Sequence, residues 1–157
     1  MLDVTLSERG NTQWFILDEP TRAEAQQLYV NYCERCVGAI MICERKPEIL
    51  VAISKYITFS MHALPAPKSE WNRVWKQLSP DLSEIEKYYD VIELHICGGL
   101  VDTIENTYWY KIAQRKYIQP LRRRFPSAKY FQLAPYSNIK YSTLYMDEEF
   151  NVLHEQF

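Results

Sequence analysis

Glycine is scarce in this chain, with only 4 among 157 residues. A phosphate cradle of the Gly-rich kind has little raw material, so any nucleotide or coenzyme site must be built from one or two glycines. Cysteine is equally rare: Cys33, Cys36, Cys43 and Cys97 are too few for a disulfide framework at this length and read as reduced thiols. Long apolar runs are missing, and a stretch such as residues 37–43 falls far short of a membrane span. Residues 1–10 carry Asp3, Glu8 and Arg9 and no apolar h-region, so a secretory signal is not expected there and the expected location is cytoplasmic. Neither sign of charge dominates, with 18 Lys and Arg against 20 Asp and Glu. A net charge of −2 argues against a dedicated, non-specific nucleic-acid binder. Internal repeats and low-complexity tracts are absent, which predicts one domain over residues 1–157.

What the chain has in excess is aromatic residues, 14% of the total, with 12 Tyr among them. Their placement and the apolar periodicity predict an alternating order of elements. Residues 13–17 read as a strand, and Thr21 with Glu24 forms a capping box for a helix whose apolar positions are Ala25, Leu28, Tyr29 and Tyr32. Strands are expected over residues 37–43 and 49–59, joined by a charged hairpin loop over 44–48. A Pro-bounded helical insert, about residues 63–89, follows. Its first helix, 68–78, carries Trp71, Val74, Trp75 and Leu78 on one stripe and is expected to end at Ser79-Pro80, before a shorter helix through Tyr88. Residues 91–97 read as a strand stopped by Gly98 and Gly99. A long helix then runs to about Phe125, with Ile104, Tyr108, Ile112 and Ile118 on its apolar face and Pro120 kinking or splitting it. A strand over 130–133, a helix over 138–147 and a closing strand over 151–153 complete the pattern. The order predicts a mixed α/β (α+β) fold, a central sheet flanked by helices, antiparallel in its first half and with a parallel crossover later.

The best place for chemistry is the junction from Glu93 to Gly99 leading into the long helix. Two glycines after a strand allow a turn with exposed N–H groups at the carboxyl end of that strand. Glu93 and His95, two residues apart, share one strand face and can serve as general base and proton relay, or simply meet solvent or a buried partner. Cys33 and Cys36 have metal-ligand spacing, but only His95 and Cys97 could supply a second pair, and the expected metal is none. Arg115, Lys116, Arg122, Arg123 and Arg124 cluster near the end of the long helix, where they complement its dipole or contact phosphates, with Tyr117 and Tyr130 nearby to stack on bases. Tyr136, Tyr141 and Tyr145 are either core residues or, for a phenol near a departing thiolate, proton donors.

The element order and the run Tyr136-Ser137-Asn138-Ile139-Lys140-Tyr141-Ser142-Thr143-Leu144-Tyr145-Met146-Asp147-Glu148-Glu149-Phe150 resemble the GNAT superfamily of acyl-CoA N-acyltransferases. The resemblance is to a divergent member with a degenerate pyrophosphate loop, since the junction reads Cys97-Gly98-Gly99-Leu100-Val101-Asp102. It implies transfer of an acyl group from acetyl-CoA or another acyl-CoA to an amine acceptor. Glu93 would be the base and Tyr145 the acid for the leaving thiolate. Asn138 would contact the pantetheine arm, and Ile96, Gly98 and Gly99 would line the coenzyme. The second half is also similar to phage DNA-modifying members of the Mom type, which would make a DNA base the acceptor and give Arg122, Arg123 and Arg124 a nucleic-acid role. The alternative on the same fold is a non-catalytic binding protein engaging a protein or nucleic acid.

Overall fold

The computed structural model describes residues 12–17, 29–33, 37–50, 55–63, 68–99, 101–132, 142–146 and 152–156. Its strands are β1 (Thr12–Leu17), β2 (Tyr29–Cys33), β3 (Val37–Arg45), β4 (Tyr56–Ala63), β5 (Tyr89–Gly98), β6 (Lys129–Gln132), β7 (Ser142–Met146) and β8 (Val152–Gln156). Helix α1 (Lys68–Tyr88) precedes β5. Between β5 and β6 run helix α2 (Ile104–Ala113), a π-helical segment (Gln114–Ile118) and helix α3 (Gln119–Arg124). No helix among the described residues is long and apolar enough to cross a membrane.

Five strands form one sheet in the order β1-β4-β3-β5-β6, and three form a second in the order β2-β7-β8. Every pairing is antiparallel except β5 with β6, which are parallel and joined by the helical crossover. The architecture is α+β, with the expected antiparallel first half and later parallel crossover. β3 is the central strand, and its near-continuous apolar run suits burial on both faces. Val37, Ala39, Met41 and Cys43 on one face join Val74, Leu78, Tyr117 and Leu121 from the helices in the main core. Ile40 and Ile42 on the other face are also buried. Both edges of β3 are already paired, so β2 and β7, which approach it, do so over that second face.

β5 carries a bulge that decides which of its residues face the core. Ile42 pairs with Glu93 and Cys43 with Val91, so Ile92 is an extra residue in the strand. The extra residue shifts the two-residue alternation by one. Tyr89 and Val91 before it, and Leu94 and Ile96 after it, therefore all enter the same core, while Glu93 and His95 are left on the opposite face with Ile42 and Ile40.

Three local expectations are corrected. α1 does not stop at Ser79-Pro80 but continues to Tyr88, with Pro80 inside it. Val74, Leu78, Leu82 and Ile85 form one fully buried stripe across the proline. Burial of Leu82 and Ile85, about 1.5–3 kcal/mol each, offsets the roughly 3 kcal/mol cost of an interior proline. Pro80 and Lys76, whose carbonyl it leaves without an α-helical donor, are both exposed residues. β4 begins at Tyr56 rather than residue 49, because the Lys46 amide bonds the Tyr88 carbonyl (2.9 Å) and β3 parts from β4 beyond the Arg45–Lys55 backbone bond. Residues 29–33 and 142–146, expected in helices, are strands that pair with each other. Both segments are rich in Tyr, Val, Thr and Cys, which suit a pleated surface better than a helix.

The continuity of α1 is testable by chemical denaturation. Pro80→Ala should raise stability, by at most about 3 kcal/mol, and Leu82→Ala should lower it by about 2–5 kcal/mol. A helix ending at Ser79 would gain nothing from the first change.

Candidate functional site

Two regions carry the residues singled out by the sequence. The first is the face of β5 opposite the main core. Glu93 Oε1 lies 3.7 Å from His95 Nε2, longer than a hydrogen bond, with the glutamate about a third exposed and the histidine buried. The His95 ring stacks on Phe131 of β6, at 4.6 Å between centroids and 9° between planes. In register, Glu93 sits beside Lys129 and His95 beside Phe131. A carboxylate at the mouth of a covered strand face, next to an imidazole held by stacking, can pass a proton inward or outward. β7, which carries Tyr145, lies against β5. Tyr145 is thus on a strand, opposite Tyr29 and Leu153 in register, and not on the helix expected for it. Asn138 lies outside the described residues.

The second region is the carboxyl end of β5. Ile96 points into the core. Its backbone is flanked by Ala39 and by Gln132, the last described residue of β6. Gly98 and Gly99 both adopt positive φ, 94° and 100°, which only glycine does readily. A Cβ at Gly99 would stand 2.4 Å from Cδ2 of Tyr110, so the space over this glycine is filled by the chain's own aromatic ring. The Tyr110 hydroxyl accepts from Gln114 Nε2 (3.1 Å) and Gln132 Nε2 (2.9 Å), and Gln132 Oε1 accepts from Tyr130. Burial pushes both phenols up, Tyr130 from 10.0 to about 12, although the Arg122 guanidinium over its ring pulls the other way. The start of α2 is also spoken for. Thr103 Oγ1 accepts from the Asn106 amide (3.0 Å), Asp102 Oδ1 accepts from Asn106 Nδ2 (2.6 Å), and Glu105 adds a carboxylate to the first turn. Two acidic side chains complement the positive end of the helix and repel an incoming phosphate. The described residues here do not fit an acyl-CoA pyrophosphate.

The expected apolar face of the long helix is corrected as well. Ile112 and Ile118 are buried, but Ile104 is 93% exposed and Tyr108 is 55% exposed. The line that enters the core is Tyr110, Ala113, Tyr117 and Leu121. Ile104, Tyr108, Lys111 and Arg115 fall at i, i+4, i+7 and i+11, one face of a helix, and all four are exposed. Pro120, expected to kink or split the helix, lies in the first turn of α3 just after the π segment, and the helical path runs through it to Arg124. The proline's missing N–H deprives the Lys116 carbonyl of an α-helical partner, and Trp75 Nε1 of α1 donates to that carbonyl instead (2.5 Å).

Beyond the π segment the outward residues include Arg122 and Arg123. Arg122 lies over the Tyr130 ring at 3.8 Å, and Lys116 over the Trp71 ring at 5.0 Å. Arg124 leaves the expected arginine cluster: it bonds Glu86 and lies 3.3 Å from Ser83 Oγ. It lines an opening of about 630 Å³ at the other end of β5, where Lys46 and Arg124 are matched by Glu86 and Asp90. By contrast, Lys111, Arg115 and Arg123 form no ion pair with any described residue.

A signal for this basic face exists in the sequence, though net charge conceals it. Between Glu105 and Asp147 there is no Asp or Glu, yet eight of the 18 Lys and Arg lie there, so this stretch carries +8 and the remainder −10. Charge segregated along the chain in this way is a footprint of polyanion binding that a whole-chain balance misses. Among the described residues no group of three or more His, Cys, Asp or Glu gathers as a metal site. Cys43 is buried, its thiol pushed up to about 12, and is chemically inert. No family model, curated protein or solved structure matches the chain.

The Tyr130 phenol yields a pH test. A group that keeps its proton longer in the folded state supports the fold fully below pH 10 and loses that support as pH rises through about 12. Stability should therefore fall across that window, and Tyr130→Phe should flatten the decline, as followed by alkaline denaturation.

Proposed function

We propose that the chain is a nucleic-acid-binding protein whose contact surface is the outward face of α2, the π segment and α3. One observation carries this reading. Within an acid-free stretch, Lys111, Arg115 and Arg123 are exposed on the helices and form no ion pair with any described residue, and Arg122 is exposed against the Tyr130 ring, while Arg124, the cation facing the rest of the molecule, is neutralised by Glu86. Residues 111–123 span roughly 18 Å, the length of several phosphates along a strand. A membrane surface is a poorer match. The apolar line of the same helix, Tyr117, Ile118 and Leu121, is locked in the core and leaves no continuous apolar face to insert.

Binding of this kind draws its affinity from counterion release. With about four phosphate contacts, log K should fall with log salt at a slope of about −3 for single strands and nearer −4 for duplex. Replacing Arg122 and Arg123 with Ala should weaken binding and make the slope shallower by about 1.4–1.8. Salt-independent or undetectable binding of the unmodified chain would end this reading.

A second reading, acyl transfer from a thioester to an amine, is favoured by the Glu93–His95 contact and by the approach of β7 to β5. Glu93 would take the proton of the amine, with His95 relaying it, and Tyr145 would protonate the departing thiolate. The donor's phosphates would need a seat other than the start of α2. A thermal-shift titration with acetyl-CoA tests it: a bound donor raises the melting temperature, and Glu93→Gln then abolishes transfer without removing the shift. No shift at saturating acetyl-CoA removes this reading.

A further inference from the structure

The basic face does not stop at Lys111. One turn earlier the same exposed line carries Tyr108, and one turn before that Ile104. These two are among the few large apolar side chains left in solvent by the described residues. They border an open depression of about 630 Å³, together with Val101, Asp102 and Lys111. The Tyr108 ring is braced edge-on by Trp109, with centroids 5.2 Å apart and planes at 67°, so its free face is presented in a defined orientation. An aromatic platform continuous with a row of cations is the combination by which proteins hold single strands: cations track the backbone while rings stack on unpaired bases. A base pair inside a duplex cannot present its flat face to Tyr108 without being unstacked.

The charges around the depression sort the ligand's parts. Asp102 and Glu105 repel phosphate from the start of α2, whereas Lys111, Arg115, Arg122 and Arg123 attract it further along. A strand laid along the helix therefore has its phosphates over residues 111–123 and its terminal base over Tyr108. We infer that this face selects single-stranded nucleic acid over duplex, with Tyr108 as the base-stacking residue at one end of the site. This rests on the nucleic-acid reading above and adds strand selectivity to it.

Fluorescence anisotropy on the full chain separates the two. The probes are a labelled oligo(dT) of about twelve nucleotides, within the usual range of single-strand sites, its duplex with oligo(dA), and polyglutamate as competitor. Unmodified protein should bind the single strand more tightly than the duplex. Tyr108→Ala should weaken single-strand binding by ~5- to 150-fold, the worth of one stacked base, and Tyr108→Trp should restore it. Duplex binding should not change with either substitution. The Arg122→Ala, Arg123→Ala double variant should weaken both. Equal affinity for the two forms, or indifference of the single strand to Tyr108→Ala, overturns strand selectivity while leaving the nucleic-acid reading in place. No binding to either form overturns both. Displacement of the oligonucleotide by polyglutamate at equal charge also overturns both, in favour of an acidic protein partner.

Discussion

The seating of one helical line in the core governs everything presented to solvent on this side of the molecule. Tyr110, Ala113, Tyr117 and Leu121 are buried against the sheet and α1, and Tyr117 is the largest of the fully buried side chains. Residues spaced by four drift about 40° around an α-helix at each step, so a line held inward from 113 to 121 and on to Phe125 would rotate out of the core. The wider turn of the π segment takes back part of that drift. Pro120, by removing a donor at this point, makes the change of pitch less costly, and Trp75 satisfies the carbonyl left behind. With the inner line fixed, Ile104, Tyr108, Lys111 and Arg115 have nowhere to go but outward.

A comparable device operates in β5. Were β5 regular through Ile92, with no bulge, Tyr89 and Val91 would lie on the same face as Glu93 and His95, and the core and the polar pair would compete for one side of the strand. The bulge separates them. The carboxyl end of the strand is governed in turn by Gly99, whose lack of a side chain admits the Tyr110 ring and ties the turn to the Gln114–Tyr110–Gln132–Tyr130 hydrogen-bond chain. Gly99 answers a packing demand of the chain itself, and the scarcity of glycine in the sequence is consistent with a surface that uses cations and rings rather than a glycine cradle.

How much of this was legible beforehand depends on the kind of signal. β3 and β5 were readable because their β-branched and apolar runs have one interpretation. The helix after Gly99 was readable in extent, but not in orientation. Ile104, Tyr108 and Ile112 offer a regular apolar spacing that competes with Tyr110, Ala113 and Tyr117, and only tertiary packing chooses between them. Tyr145, which lies in β7, misled for a related reason: a spacing of four is shared by one face of a helix and one face of a strand. Pro80 was overruled by the apolar stripe running through it. The charge pattern was fully present in the sequence, but summing over the whole chain cancelled the basic stretch against acidic residues elsewhere.

Binding of a polyanion along the outward line from Tyr108 to Arg123 is the proposal on which the role of this surface depends. Amide chemical-shift mapping of the labelled protein with oligo(dT) addresses it residue by residue. Binding along this line should concentrate perturbations between Ile104 and Arg123, with Arg124 and the Glu93–His95 face of β5 little changed. Shifts centred on Glu93 and His95, or no shifts at all, would contradict it.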